Sequence, residues 1–236
     1  MFRAALDDKR LAFDTGGVRG GNELFRDRAT GSSWQQSTTE AIAGPLKGRH
    51  LALYPFLLTT WGEWRREHPA TMVLQPLPGY ADRVAQMNQV IDRGVLASAP
   101  APKGALSEDA RLPAHTPVLG LDLNGAAVAY PMPALQAARV VNGTQGGEAV
   151  LIVHQGGTDT TTAFEGAWRG QKLDFRPANA ANTQLEDLQT HNAYGVCIAG
   201  RLKGAQLPAL ILEPEFWFAW SEFHPGTGIY TAKPAR

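Results

Sequence analysis

Residues 42–71 read IAGPLKGRHLALYPFLLTTWGEWRREHPAT, and residues 198–227 read IAGRLKGAQLPALILEPEFWFAWSEFHPGT. Aligned without a gap, the two stretches are identical at twelve of their 30 positions. The chain has six tryptophans, and four of them fall into matched pairs in this alignment. We interpret the stretches as diverged copies of one ancestral unit, because a repeat of this size determines how the whole chain is organised.

Each copy predicts a short strand followed by a helix with the pattern W-x-x-W-x-x-x-H-P-x-T. Thr60 and Glu63 have capping-box spacing at the start of the first helix, and Pro214 is expected in the first turn of the second. The proline after each histidine ends the helix. At 3.6 residues per turn, three aromatic side chains share one face of each helix: Trp61, Trp64 and His68, and their counterparts Trp217, Trp220 and His224.

These two aromatic stripes have two interpretations. The simpler one is that each stripe anchors its helix in the hydrophobic core, where a buried indole contributes roughly 3 kcal/mol or more by area. The alternative is that the six side chains line a ligand pocket between the two halves of the chain. Complete burial of the indoles would leave no room for a ligand and would favour the first interpretation.

The second helix is more apolar than the first. Charged residues surround the first helix, whereas the second is surrounded by Phe216, Phe218 and Phe223. A helix that is apolar nearly all round is either buried or faces a partner. Burial inside the protein is the favoured interpretation, and these phenylalanines are also candidates for a partner-binding surface.

The clearest local signal lies at residues 117–131, PVLGLDLNGAAVAYP. Asn124-Gly125 between two alternating apolar runs predicts a type I′ hairpin. Apolar residues at helical spacing predict a helix over 80–93. Further strands are expected at 137–142, 148–154, 171–175 and 207–212.

We predict an α+β, strand-rich fold made of two pseudo-symmetric repeats, each combining antiparallel strands with the short tryptophan helix. Residues 1–94 form the first repeat, residues 95–116 an Ala/Pro-rich connector and residues 117–236 the second repeat, with the two repeats packed as one globular unit. The repeat offset of 156 residues places a counterpart of the hairpin before Met1. The first repeat is therefore expected to lack its own hairpin, unless one sheet serves both halves.

The composition argues against several functional classes. Lys plus Arg equals Asp plus Glu at 22 each, so no net field favours nucleic acid, and we expect no such partner. No apolar run reaches the ~20 residues that a membrane span requires, and the first ten residues lack the apolar core of a signal peptide. Membrane association is therefore expected only through a partner or a leader absent from this sequence.

Several ordered motifs resemble a bacterial family. They are RATGSSW within 27–34, Arg111-Leu112-Pro113, Pro117-Val118-Leu119-Gly120, Ala129-Tyr130-Pro131, Val140-Val141-Asn142 and Gly146-Gly147. With the repeat motifs they extend from about residue 11 to residue 230, and together they resemble the domain-of-unknown-function family numbered three-one-seven-nine. The resemblance implies a shared fold and, often, export or lipid anchoring in bacteria. It implies no known reaction.

The chain departs from that family at one segment. Its members commonly carry a Tyr-Cys-Pro-Leu-Cys-like segment after the Gly-Gly strand, whereas residues 152–158 here read IVHQGGT. The single cysteine, Cys197, is expected to be a buried hydrophobe. A metal site could be assembled only from His154, His191 and Asp159, and their spacing argues against one. We expect no metal, no cofactor and no catalytic residue.

From these observations we expect a non-catalytic protein of the periplasm or cell envelope that acts by protein–protein interaction. It would be an accessory or scaffold subunit of a larger membrane-associated complex, with a protein partner that the sequence does not identify. The alternative is an enzyme or small-ligand-binding protein with its site near the paired Trp/His helices.

Overall fold

The computed structural model of the chain describes residues 2–54, 56, 59–75, 77, 79–92, 108–178, 180, 185–187, 193–194 and 207–232. Two predictions fall outside these residues: the burial of Cys197 and the candidate metal role of His191. Residues 198–206, which begin the second aligned stretch, also lie outside them. Most of the predicted connector, 95–107, also lies outside them.

The described elements follow one another in three groups. The first comprises β1 (Ala5–Leu6), β2 (Lys9–Arg10), β3 (Phe13–Arg19), β4 (Asn22–Asp27), β5 (Ser33–Gln35), β6 (Ala41–Ala43), α1 (Trp61–Glu67) and α2 (Ala81–Asp92). The second comprises β7 (Pro117–Leu123), β8 (Ala126–Pro131), α3 (Met132–Ala138), β9 (Val140–Gln145), β10 (Glu148–Gln155) and β11 (Thr160–Glu165). The third comprises β12 (Ala167–Trp168), β13 (Gln171–Lys172), β14 (Phe175–Pro177), β15 (Leu185–Asp187), β16 (Ala193–Tyr194), β17 (Ala209–Leu210), β18 (Glu213–Phe216), α4 (Trp217–Phe223) and β19 (Gly228–Ile229).

The first half of the chain is built on an antiparallel sheet of β3, β4, β5 and β6 in sequence order. Gly20 and Gly21 turn the chain between β3 and β4 with positive φ angles of 61° and 72°, which glycine adopts without steric cost. One face of the sheet covers a small core that includes Leu11, Trp34 and Leu51. This core is separate from the larger clusters of the second half.

The predicted hairpin is confirmed. Strands β7 and β8 pair up to Leu123 and Ala126, and the two residues between them, Asn124 and Gly125, have positive φ angles of 54° and 76°. Two positive φ angles are what a type I′ turn requires. The Asn124 side chain also donates to the carbonyl of Gly146 at 3.1 Å, which ties the hairpin tip to the turn after β9.

The hairpin lies at the centre of a four-stranded sheet in the order β18, β7, β8, β19. Strand β18 runs antiparallel to β7, and β19 runs parallel to β8. The placement of Pro214 in the first helical turn is wrong, because Pro214 pairs with Leu119 within β18 and the helix begins at Trp217. An edge strand tolerates proline, since the missing N–H can face away from the sheet.

A third four-stranded sheet, ordered β17, β11, β10, β9, packs against the sheet that contains the hairpin. The core between them includes Leu119, Tyr130 and Ile152, with Leu135 of α3 closing one side. The strand expected at 148–154 is confirmed by β10. The strand expected at 137–142 is only partly right: helix α3 occupies its start, so β9 begins at Val140.

The remaining element predictions have mixed outcomes. The helix expected over 80–93 is confirmed by α2. The strands expected at 171–175 and 207–212 are present only as short pieces, β13 with the start of β14, and β17. The described part of the chain is thus a strand-rich α+β fold with four helices and several antiparallel sheets.

The two halves touch at described residues. The hydroxyl of Ser37 donates to a carboxylate oxygen of Glu215 at 2.9 Å. Gly20 lies against the side chain of Glu222, so closely that a Cβ at position 20 would stand 1.9 Å from its Oε1. These contacts place the first-half sheet beside α4.

Candidate functional site

Helix α4 packs both of its tryptophans into the second half. Trp217 and Trp220 are 0% exposed and cluster with Val118 of β7 and Ala129 of β8. Gly120 of β7 makes this contact possible, since a Cβ there would lie 2.1 Å from Cζ3 of Trp220. The hairpin and the helix therefore interlock through a position where any side chain would displace the indole.

The segment before the hairpin supplies hydrogen-bond acceptors for the first backbone N–H groups of α4. The first backbone N–H groups of a helix have no intrahelical acceptor. Here Trp217 N–H donates to the Thr116 carbonyl and Phe218 N–H donates to the Ala114 carbonyl, both at 2.9 Å. The indole N–H of Trp217 donates to the Asp109 carbonyl at 2.8 Å. The described end of the predicted connector is thus part of the packing around α4.

The end of α4 carries a compact arrangement that we call the Trp–His–Thr unit. The indole N–H of Trp220 donates to the Thr227 hydroxyl at 2.9 Å. The His224 ring stacks on the Trp220 ring with centroids 3.6 Å apart, and His224 N–H donates to the Trp220 carbonyl at 2.9 Å. Burial lowers the pKa of His224, which favours the neutral imidazole in this stack.

Helix α1 ends in the same arrangement. The indole N–H of Trp64 donates to the Thr71 hydroxyl at 2.9 Å, the His68 ring lies 4.1 Å from the Trp64 ring, and His68 N–H donates to the Trp64 carbonyl at 2.8 Å. At the other end, the predicted cap is present in part, because the Thr60 hydroxyl accepts from Glu63 N–H at 3.3 Å. The carboxylate of Glu63 instead pairs with Arg66.

The surroundings of the two helices differ. No residue of α1 is buried, and Trp61 is 49% exposed where its counterpart Trp217 is fully buried. The expectation that both stripes face a core is therefore right for α4 and wrong for α1. The physical reason is that β7 and β8 cover α4, while no hairpin of the described residues covers α1.

The phenylalanines proposed as a partner surface lie mostly inside the protein. Phe218 is buried, and Phe216 is half-buried with its ring 5.1 Å from that of His115. Phe223 is also half-buried, on the wall of the cleft between the two halves. The apolar character of α4 thus reflects internal packing, as the favoured interpretation of the sequence predicted.

A surface that the sequence analysis missed begins at α1. Its members are large apolar side chains that are at least 42% exposed; we call them the 61–84 strip, and they are Trp61, Met72, Val73, Leu74, Leu77, Tyr80 and Val84. Leu74, Leu77, Tyr80 and Val84 line a shallow concavity of about 370 Å³. The apolar spacing that predicted helix α2 includes Tyr80 and Val84, but it indicates a helix and does not indicate which residues are exposed.

The cleft between the two halves is the other concave feature. It encloses about 440 Å³ and is lined by residues from both sides, among them Arg19, Gln35, Glu40, Glu222 and Phe223. Neither histidine of the two stripes is among the described residues that line it. The paired aromatic side chains are therefore not brought together around a common pocket there.

Strand β18 carries two half-buried carboxyls, Glu213 and Glu215, and Glu215 contacts the first half through Ser37. Burial, then the neighbouring carboxylates of Glu215 and Asp122, raise the pKa of Glu213 to about 7. Burial also raises the pKa of Glu215, against the hydrogen bond that it accepts from Ser37. Both groups therefore resist ionisation where the two halves meet.

The raised pKa of Glu213 predicts a pH effect on stability. A carboxyl with a folded pKa above its unfolded value stabilises the fold fully below the unfolded pKa of about 4.5, and this contribution disappears as the pH rises through about 7. Glu213→Gln is therefore expected to gain stability relative to the wild type between pH 4.5 and pH 8. Urea unfolding at several pH values measures this difference, and parallel pH profiles for the two proteins would contradict the prediction.

His154 occupies the place of the missing cysteine segment. It is 2% exposed, with Nδ1 3.0 Å from the Thr161 hydroxyl and Nε2 3.5 Å from Asp159. Burial lowers its pKa, so we interpret it as a neutral core histidine. Within the described residues, no group of three or more His, Cys, Asp or Glu side chains is arranged to hold a metal ion.

Among the helices of the described residues, none has the length and apolar character to cross a membrane.

Comparisons with known proteins give one match. No curated protein and no solved structure matches the chain. The profile of one family, described as "Protein of unknown function (DUF3179)", matches residues 1–227. This match covers nearly the whole chain and agrees with the motifs quoted above, and the chain therefore belongs to that family of unknown function.

Proposed function

We propose that this protein is a non-catalytic accessory or scaffold subunit that binds another protein through the 61–84 strip. The single observation that carries the proposal is the exposure of large apolar side chains along one short stretch, up to 94% at Met72 and 96% at Leu74. Soluble proteins rarely leave contiguous apolar surface uncovered unless it binds something. A protein–protein interface is the ordinary use of such a surface.

The edges of the strip support an interface with protein. Arg65, Arg66 and Glu67 are exposed on α1 beside Trp61, and a charged rim around an aromatic centre is typical of protein interfaces. Tryptophan and tyrosine at such positions often contribute most of the binding free energy. The strip offers both, in Trp61 and Tyr80.

We further propose that the two halves are copies of one ancestral unit, as the aligned stretches indicate. Backbone pairing outside the tryptophan helices supports this. In the first half, Phe2 pairs with Leu53, and in the second half Phe164 pairs with Ala209. Next to these pairs, Arg3 N–H donates to the Ala52 carbonyl, and Glu165 N–H donates to the Pro208 carbonyl. The short hairpins β1–β2 and β12–β13 occupy matching places.

The alternative of a small-ligand site at the paired helices has less support. The two indoles of α4 are fully buried against the hairpin, which leaves no space for a substrate beside them. The indole of Trp61 on α1 faces solvent on a surface without an enclosing wall among the described residues. The geometry therefore favours an interface over a pocket.

The location of this subunit in the bacterial envelope remains part of the proposal. It is supported by the export or lipid anchoring that the family resemblance implies. No helix of the described residues could span a membrane. The 61–84 strip is the surface proposed to bind a subunit of the membrane-associated complex.

Site-specific photocrosslinking tests the proposed interface. Leu74 is replaced by p-benzoylphenylalanine in a bacterium that expresses the full chain, and irradiation is expected to give a covalent adduct of one discrete mass. Val18, which is 71% exposed on β3, provides the matched control position and is expected to give none. Equal adducts from both positions, or none from Leu74, would contradict the proposal.

A further inference from the structure

We propose that the exposed face of α1 and the following segment 72–74 receive a two-stranded antiparallel hairpin of the partner protein. The hairpin would pack on α1 as β7 and β8 pack on α4. The inference rests on the proposed role of the 61–84 strip as an interface, and it specifies what kind of structure binds there.

The covered copy shows what the uncovered copy lacks. Around α4, the hairpin supplies an apolar face on both indoles and a glycine opposite Trp220. The segment just before the hairpin supplies carbonyls for the N–H groups of Trp217 and Phe218. The matching N–H groups of α1 belong to Trp61 and Gly62, and they have no acceptor among the described residues. Helix α1 thus presents the same backbone N–H donors and the same two tryptophans, but no hairpin among the described residues covers them.

The segment after the helix indicates that the bound structure contributes a β-strand. In the covered copy, Gly228 and Ile229 pair in parallel with Val128 and Ala129 of β8. Tyr230 then donates its N–H to the Ala129 carbonyl at 2.8 Å and stacks on Tyr130.

The repeat offset maps these three positions onto Met72, Val73 and Leu74, which are 94%, 63% and 96% exposed. No strand is assigned at residues 72–74 and no backbone pairing joins them to other described residues, and an exposed segment of this kind can pair with an added strand. A helical partner would leave these backbone groups unpaired, so a hairpin fits both parts of the surface.

The chain's own hairpin cannot fill both places. One edge of β7 pairs with β18, and one edge of β8 pairs with β19. The two faces of the hairpin are covered by α4 and by the sheet of β9, β10, β11 and β17. In a second copy of residues 1–236, the corresponding hairpin is paired and covered in the same way. We therefore infer that the partner protein provides the hairpin, with a small residue facing Trp64 and an extended segment ahead of its first strand.

A fusion protein tests this inference on the full chain. A second copy of residues 108–131 is joined ahead of residue 1 through a Gly/Ser linker of about 20 residues, which spans roughly 25 Å. Hydrogen–deuterium exchange at residues 61–67 is expected to slow at least about tenfold. The matched control carries Gly120→Leu in the fused copy, because a side chain there displaces the indole, and it is expected to give no protection.

Disulfide trapping gives a second readout that does not depend on how stably the fused hairpin folds. In a Cys197→Ser background, Val73→Cys is combined with Ala129→Cys in the fused copy, by analogy with the Ile229–Ala129 pair. Adjacent strand positions have the Cα separation that a disulfide needs, so rapid oxidation is expected. Val18→Cys in place of Val73→Cys is the control and is expected to remain reduced.

The outcomes separate this inference from the proposed function. Absence of both protection and trapping overturns the hairpin, even if Leu74 still crosslinks to a partner. A crosslinked adduct at twice the mass of the chain identifies a second copy as the occupant and also overturns it. Protection and trapping without any crosslinked partner support the hairpin and contradict the proposed function.

Discussion

Replacing Trp220 with alanine is expected to lower the free energy of unfolding by about 3–5 kcal/mol. The same change at the matched Trp64 is expected to cost about 1 kcal/mol or less. Both indoles donate to a threonine hydroxyl at 2.9 Å, so the local bond lost is the same. What differs is the surroundings, because Trp220 fills the space above Gly120 while the first helix has no buried residue.

Urea unfolding followed by circular dichroism measures both effects through the midpoint and the slope of the transition. The Trp64 variant is the control, since it removes the same atoms and the same hydrogen bond. Equal losses at the two positions would contradict the assignment of α1 as uncovered. Gly120→Ala offers a second check, because even a methyl group would meet the Trp220 ring at 2.1 Å, and it is expected to destabilise by about 1–3 kcal/mol.

Replacing Asp27 with asparagine is expected to cost about 3 kcal/mol of stability. The carboxylate is 0% exposed and accepts from Thr30 N–H at 2.6 Å, from Ser32 N–H at 3.1 Å and from the Trp34 indole at 3.0 Å. An amide in that place brings its own N–H groups toward these donors, and some of them would lose their acceptor. The turn between β4 and β5 depends on this one side chain.

The same carboxylate predicts how the cost varies with pH. Burial opposes its charge, but the hydrogen bonds from Trp34, Thr30 and Ser32 outweigh burial and lower the pKa of Asp27. A lowered folded pKa gives stability that is present above the unfolded value near 4 and is lost as the pH falls through the folded pKa. The difference between wild type and Asp27→Asn is therefore expected to shrink below about pH 4.

Asp14→Asn serves as the control for this comparison. Asp14 pairs with Arg28 in solvent at 2.5 Å, where an ion pair contributes little because water and salt screen it. Thermal unfolding of the two variants at pH 7 compares them directly. An effect at Asp14 as large as that at Asp27 would contradict the view that the buried acceptor, rather than charge alone, stabilises the turn.

Local features of this fold were predictable from sequence because their causes are local. The hairpin follows from Asn124-Gly125, since few residues other than asparagine and glycine accept positive φ at both turn positions. The Trp–His–Thr units follow from spacings of four and seven residues, which bring the same atoms together wherever the pattern occurs. Helix α2 follows from its apolar periodicity.

Burial was not predictable from the same patterns, because it depends on what lies opposite. Trp61 and Trp217 occupy identical motifs, yet one is half exposed and the other fully buried. The difference originates in a hairpin about 90 residues away from α4 in the chain. The location of Pro214 was not predictable for the same reason. A proline just before a helix fits either the first helical turn or an edge strand, and only its pairing with Leu119 shows that it belongs to the strand.

The pairing of β7 with β18 also constrains how the chain is made in the cell. Gly120 meets Glu213 only after about 90 further residues have been synthesised, which takes roughly 5–20 s at ribosomal speed. During that interval a nascent chain would expose the unpaired edge of β7, and such edges recruit other chains. A chaperone that covers the edge of β7 until the last strands emerge would protect newly made molecules from this association.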